Sequence, residues 1–157
     1  MIIIGIDPGT SRAGYGLIKK ENGRLSFLAG GILKSSSQNQ AEKLLEIQND
    51  LKKIIAKYKP SIAGIEKLYF MKNQKTALAV AEARGVILST FAASKIPILE
   101  FDPTEVKSSI TGSGCAGKKE VQKTVELILK EKIKGVDDIS DALAIAILAS
   151  SPLYKIT

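Results

Sequence analysis

Four acidic residues are placed where carboxylates can do chemistry rather than solvate a surface. Asp7 closes the apolar run Met1 to Ile6, and Glu66 closes a second, Ser61 to Ile65. Asp138 and Asp141 are three residues apart at the start of a helical pattern, so their side chains share one face. Functional groups of an α/β sheet gather beyond the carboxyl ends of its strands. Asp7 and Glu66 meet there if their strands are adjacent and parallel. Oxygen ligands without imidazole or thiolate suit magnesium, with manganese as a substitute. Two such ions about 3.5–4 Å apart clamp a phosphodiester and generate the attacking hydroxide. Each acid also has a local reading. Asp7 precedes Pro8-Gly9 and can be a turn residue, while negative charge at a helix N-terminus gains about 0.3–1 kcal/mol. Glu66 has no local role of that kind. Asp137 lies four residues before Asp141 on the same face, and spacing alone does not choose between it and Asp138.

Composition narrows the alternatives. The 157 residues include no histidine, which excludes serine–histidine and cysteine–histidine nucleophile pairs, HExxH zinc sites and a histidine base. The one cysteine, Cys115, makes no intrachain disulfide and fits a reducing, cytosolic setting. Lys plus Arg number 23 against 16 Asp plus Glu, a net charge of +7. That surplus fits an anionic partner such as nucleic acid, or simply a basic soluble protein. No cationic leader precedes the first apolar run, and no stretch approaches the roughly 18 apolar residues of a spanning helix. A soluble cytoplasmic protein without a membrane partner is expected.

The elements that must position these acids follow from periodicity. Met1 to Ile6 reads as a central strand buried on both faces. Gly14 to Lys20 and Leu25 to Leu33 form a hairpin around Asn22-Gly23. Leu44, Leu45, Gln48, Leu51, Ile55 and Tyr58 trace one face of a helix stopped by Pro60. Ser61 to Ile65 is the fourth strand. Thr76 is expected to cap a small-residue helix through Ala93. Ile96 to Phe101 is the fifth strand, and Thr104 is expected to cap a short helix. Gly112 to Gly117 is a loop, and helices over Lys118–Lys130 and Asp138–Ser150 close the chain. The order β-β-β-α-β-α-β-α-α predicts one α/β domain over 1–157, a mixed five-stranded sheet with helices on both faces.

Ile4-Gly5-Ile6-Asp7-Pro8-Gly9, Gly14-Tyr15-Gly16, and Ile65-Glu66 with Tyr69-Phe70 and Asn73 resemble the RuvC family of Holliday-junction resolvases. So do Glu82-Ala83-Arg84-Gly85, Thr111-Gly112-Ser113-Gly114, Lys118 with Val121-Gln122, and Asp138-Ile139-Ser140-Asp141-Ala142-Leu143-Ala144, in family order. The resemblance implies a ribonuclease H-like fold, a homodimer, and magnesium-dependent paired nicking of four-way DNA in recombination and repair. A branch-migration motor would work beside it. Asp7, Glu66, Asp138 and Asp141 match the catalytic, metal-holding acids; some relatives carry histidine in the last motif. The family spacing selects Asp138 over Asp137 and leaves Asp137 as an N-cap. Lys118 matches a lysine near the scissile phosphate, and Lys107 falls near a basic position. Tyr69 matches an aromatic that stacks on opened bases, with Phe70 beside it as the other candidate; Lys72 and Asn73 complete the expected DNA contacts. Ala77, Ala79, Ala81, Ala83 and Gly85 suit core packing, or, by the resemblance, a dimer contact.

Gly5-Ile6-Asp7-Pro8-Gly9-Thr10 also resembles the phosphate loop of actin- and sugar-kinase-like proteins. Those duplicate the domain to enclose ATP, and this chain has room for one copy. A non-catalytic junction binder is the third reading, and the full acid set with Lys118 argues against it.

Overall fold

The computed structural model describes residues 1–9, 12–68, 74–135 and 137–154. Strands β1 (Ile2–Asp7), β2 (Arg12–Glu21) and β3 (Arg24–Lys34) precede helix α1 (Gln40–Tyr58). Then follow β4 (Ile62–Glu66), α2 (Gln74–Ala93), β5 (Ile98–Phe101), α3 (Pro103–Thr111), α4 (Lys118–Leu129) and α5 (Asp137–Ala149). The sheet runs β3-β2-β1-β4-β5, antiparallel at β3-β2-β1 and parallel at β1-β4-β5. The predicted mixed five-stranded sheet is therefore present. Asn22 and Gly23 both have positive φ, 50° and 76°, the primed turn whose twist matches the flanking strands.

Side-chain alternation along β1 sorts the core. Ile4 and Ile6 face α1 and α2 with Leu51, Ala83, Ile87 and Phe91. Ile3 faces α3, α4 and α5 with Val106, Val125 and Leu143. Gly5 and Asp7 lie on that second face by the same period of two. Helix α5 is buried along nearly its whole length, held between the sheet and α3 with α4.

What lets α5 come so close is a row of glycines. Gly30, Gly16, Gly5 and Gly64 are consecutive register partners across β3, β2, β1 and β4. A Cβ on Gly5 would overlap the Ala142 carbonyl oxygen and lie 2.6 Å from the Ala146 nitrogen. A Cβ on Gly16 would lie 2.9 Å from the Leu143 nitrogen. The helix rests on bare backbone.

Several expectations need correction at element ends. Helix α2 begins at Gln74, so Thr76 lies inside its first turn. Helix α3 is capped by Asp102 with Pro103 at its start, and Glu105 accepts a hydrogen bond from the Asp102 N–H at 3.3 Å. Thr104 is thus within the helix; Pro103 needs no N–H partner and suits the first helical position. Asp137 is the first residue of α5 rather than its cap. The short helix makes the order β-β-β-α-β-α-β-α-α-α. Thr76–Ala93 is also long and apolar enough to cross a bilayer by length and composition, contrary to expectation. The reason is local: Val80, Ala83, Ile87 and Phe91 fill the core on one side of α2, and Leu78 with the small residues Ala81, Gly85, Ser89 and Ala92 lines the other.

Candidate active site

Ile6 and Ile65 are the last register partners of β1 and β4, so Asp7 and Glu66 emerge side by side at the carboxyl ends of two parallel strands. The condition set by the sequence is met. Each follows, by two residues, a glycine on which α5 rests, so the acids of that helix arrive on the same face. Asp7, Glu66 and Asp141 line one cavity of about 270 Å³ with Lys107 and Lys118, over an apolar floor that includes Val106, Val121 and Ile145. Asp138 is not part of that lining. Its backbone packs against Gly14, where a Cβ would come within 2.9 Å of the Asp138 Cβ.

The electrostatics are those of crowded like charges. Burial, then Glu66, Asp141 and Asp138, raise Asp7 from 3.8 to about 8, with Lys118 opposing. Glu66 is itself raised, by burial and then by Asp141, and Asp141 by burial first, with Asp137 and Asp138 adding. A side-chain hydrogen bond with Asp7 acts in the opposite direction on Glu66 and lowers it. Cations answer these charges from the rim. Lys118 Nζ, on the first residue of α4, lies 3.7 Å from Asp141 Oδ2. Lys107 lowers both Glu66 and Asp141 through its charge.

Two basic residues that sequence reasoning left without a role shape the site. Arg84, on α2, donates from Nε to the Glu66 backbone oxygen at 3.1 Å and pairs with Glu100, tying the ends of β4 and β5. It appears in the family-like segment, but its partners, Glu66 and Glu100, lie on two different strands and are brought to it only by the fold. Arg12, at the start of β2, places Nε 2.7 Å from Asp138 Oδ2. Tyr69, Phe70, Lys72 and Asn73 lie outside the described residues. Cys115 is an exposed thiol in the loop before α4.

The donor set fits a hard divalent cation: all-oxygen ligands, carboxyl groups raised by burial and then by one another's charge, and an Asp138 Oδ2 that is buried without an aligned hydrogen bond. Among the described residues no three acids converge closely enough to hold an ion as they stand. Side-chain rotation would be part of binding.

Comparison with known proteins places this geometry. A protein from Petrotoga mobilis, "Crossover junction endodeoxyribonuclease RuvC", is 44% identical over 148 residues, covering 93% of this chain and 91% of that one. Thermus thermophilus RuvC superposes with a TM-score of 0.84 at 29% identity, covering 94% of this chain and 92% of that one. The same protein in complex with a Holliday junction substrate gives a TM-score of 0.83 at 27% identity, over 94% and 91% of the two chains. The architecture is accordingly ribonuclease H-like. With the family model for crossover junction endodeoxyribonuclease RuvC matching residues 3–149, the chain belongs to the RuvC family.

Proposed function

We propose that this chain is a structure-selective endonuclease that resolves four-way DNA junctions by paired symmetric nicks, working in the cytoplasm in recombination and repair. The observation that carries the reading is the single cavity in which Asp7, Glu66 and Asp141 face Lys107 and Lys118. The relative from Thermus thermophilus has been captured on a Holliday junction substrate. Asp7, Glu66, Asp138 and Asp141 would hold two magnesium ions, with manganese able to substitute. Such ions, when bound, polarise the phosphodiester and lower the pKa of water. Lys118 is mostly exposed at the cavity rim, where its charge offsets that of an approaching phosphate. Apolar walls limit water around the carboxylates and strengthen every charge interaction there.

The test is a synthetic four-way junction beside a matched linear duplex, each with magnesium or with a chelator. Paired nicks are expected only in the junction with magnesium. Equal cutting of the duplex would remove structure selectivity, and cutting in chelator would remove the metal role.

Symmetric nicking needs two sites in fixed relation, which a two-fold dimer supplies. Leu78, Ala81, Gly85, Ser89 and Ala92 form an exposed stripe along α2, with Leu78 63% exposed. A Cβ at Gly85 would meet nothing within 4 Å, so packing inside the chain does not require that glycine. We assign this face to a second copy of the chain. The single domain over 1–157, so paired, would work beside a branch-migration motor. Ala81→Arg should keep the fold, because the position is exposed, and convert dimer to monomer in sedimentation equilibrium. Paired nicking should fall at least tenfold more than single nicking. An Ala81→Arg protein that stays dimeric would rule the α2 face out.

A further inference from the structure

Arg12 and Asp138 form an ion pair at 2.7 Å, and neither residue lines the cavity. The pairing is coulombic: Asp138 Oδ2 is shielded from solvent, but no hydrogen bond with good alignment reaches it. The Asp138 backbone is clamped against Gly14, whose strand position is fixed by pairing with Asp7. The Asp138 carboxylate pairs with Arg12 and lies near enough to Asp7 and Asp141 for its charge to raise both. The Arg12 side chain is 53% exposed, so it can leave without uncovering core.

We infer that Arg12 is a positioning residue that competes with a divalent ion for Asp138, holding the carboxylate aside until an ion takes its place. The inference rests on the metal reading above. A fixed guanidinium lowers the affinity of the acid set for a second cation, because two positive charges then share one carboxylate. It also removes the cost of leaving Asp138 Oδ2 buried with no countercharge. Once displaced, the guanidinium stands half-exposed beside the cavity with a geometry that suits phosphate oxygens.

The experiment is Mn²⁺ binding by titration calorimetry and thermal unfolding in chelator and in saturating Mn²⁺, on the full chain without DNA. Arg12→Gln should tighten Mn²⁺ binding about three- to tenfold, as expected for losing one nearby, partly screened charge. Its melting temperature should fall in chelator and recover most of the difference in Mn²⁺. Arg12→Lys should behave like the unaltered protein in the direction of both effects. In an Asp138→Asn background, which also relieves the orphaned charge, Arg12→Gln should leave Mn²⁺ affinity unchanged, since its effect acts through that carboxylate. Looser or equal Mn²⁺ binding by Arg12→Gln, or an equal shift in the Asp138→Asn background, overturns the inference alone. No Mn²⁺ binding by the unaltered protein would sink the metal reading and this inference with it.

Discussion

Asp7→Asn should abolish nicking while raising the stability of the ion-free protein. Asp7 is influenced by Glu66, Asp141 and Asp138 together, so it is the acid through which the set is coupled. Asparagine keeps the size of the group and removes the charge a divalent ion needs. A loss of at least about 10³-fold in rate is expected. The stability change has the opposite sign. With a folded value near 8 against 3.8 when unfolded, Asp7 binds a proton more tightly in the native state. Its contribution is fully present below about pH 3.8 and is lost as pH rises through about 8. In chelator, unaltered protein should therefore melt lower at pH 8 than at pH 6. Asp7→Asn should flatten that slope and melt higher at pH 8. Junction affinity in chelator should be unchanged or greater, since no charge facing phosphate is added. Nicking near the unaltered rate would end the metal assignment of Asp7. Lost folding would make Asp7 a turn residue instead.

Gly5→Ala should give the largest loss of stability among single-methyl additions to the sheet, about 3 kcal/mol or more. The added carbon meets backbone atoms of Ala142 and Ala146, and α5 has nowhere to retreat because α3 and α4 pack behind it. Gly64→Ala offers the control. There the Cβ meets the Ile145 methyl at 2.9 Å and the Ala149 methyl at 3.1 Å, and the nearest backbone atom lies farther off, at 3.2 Å. Side chains yield more easily than a helix backbone, so urea unfolding should rank Gly5→Ala well below Gly64→Ala. Equal losses would show that α5 can lift from the sheet without strain.

The strands and the acids were legible because each depends on a local pattern. Isoleucine runs ending in Asp7 and Glu66 give buried strands with polar ends, and one parallel pairing then brings the two carboxylates together. Element ends were less legible: Thr76 and Thr104 have the right chemistry for caps, but Gln74 and Asp102 begin or cap those helices instead. The glycine row was hidden for a different reason. Gly5, Gly16, Gly30 and Gly64 are scattered in sequence and align only once strand register is known. Arg12 was hidden likewise, an ordinary basic residue whose partner lies at the far end of the chain.

The seat of α5 on β1 also has a consequence for how the molecule comes into being. The hairpin of β2 and β3 closes over a short loop, whereas β1 meets α5 only across nearly the whole length of the chain. Such a distant pairing has a high contact order and forms late, after local structure has reduced the entropy of the loop it must close. During synthesis Asp7 and Glu66 leave the ribosome long before Asp138 and Asp141. A nascent chain therefore carries half of its acid set on an uncovered glycine floor and acquires the rest with its final helix. Assembly of the acid set is expected to follow chain order, and pulse-labelled hydrogen exchange should find α5 amides protected after those of β2 and β3.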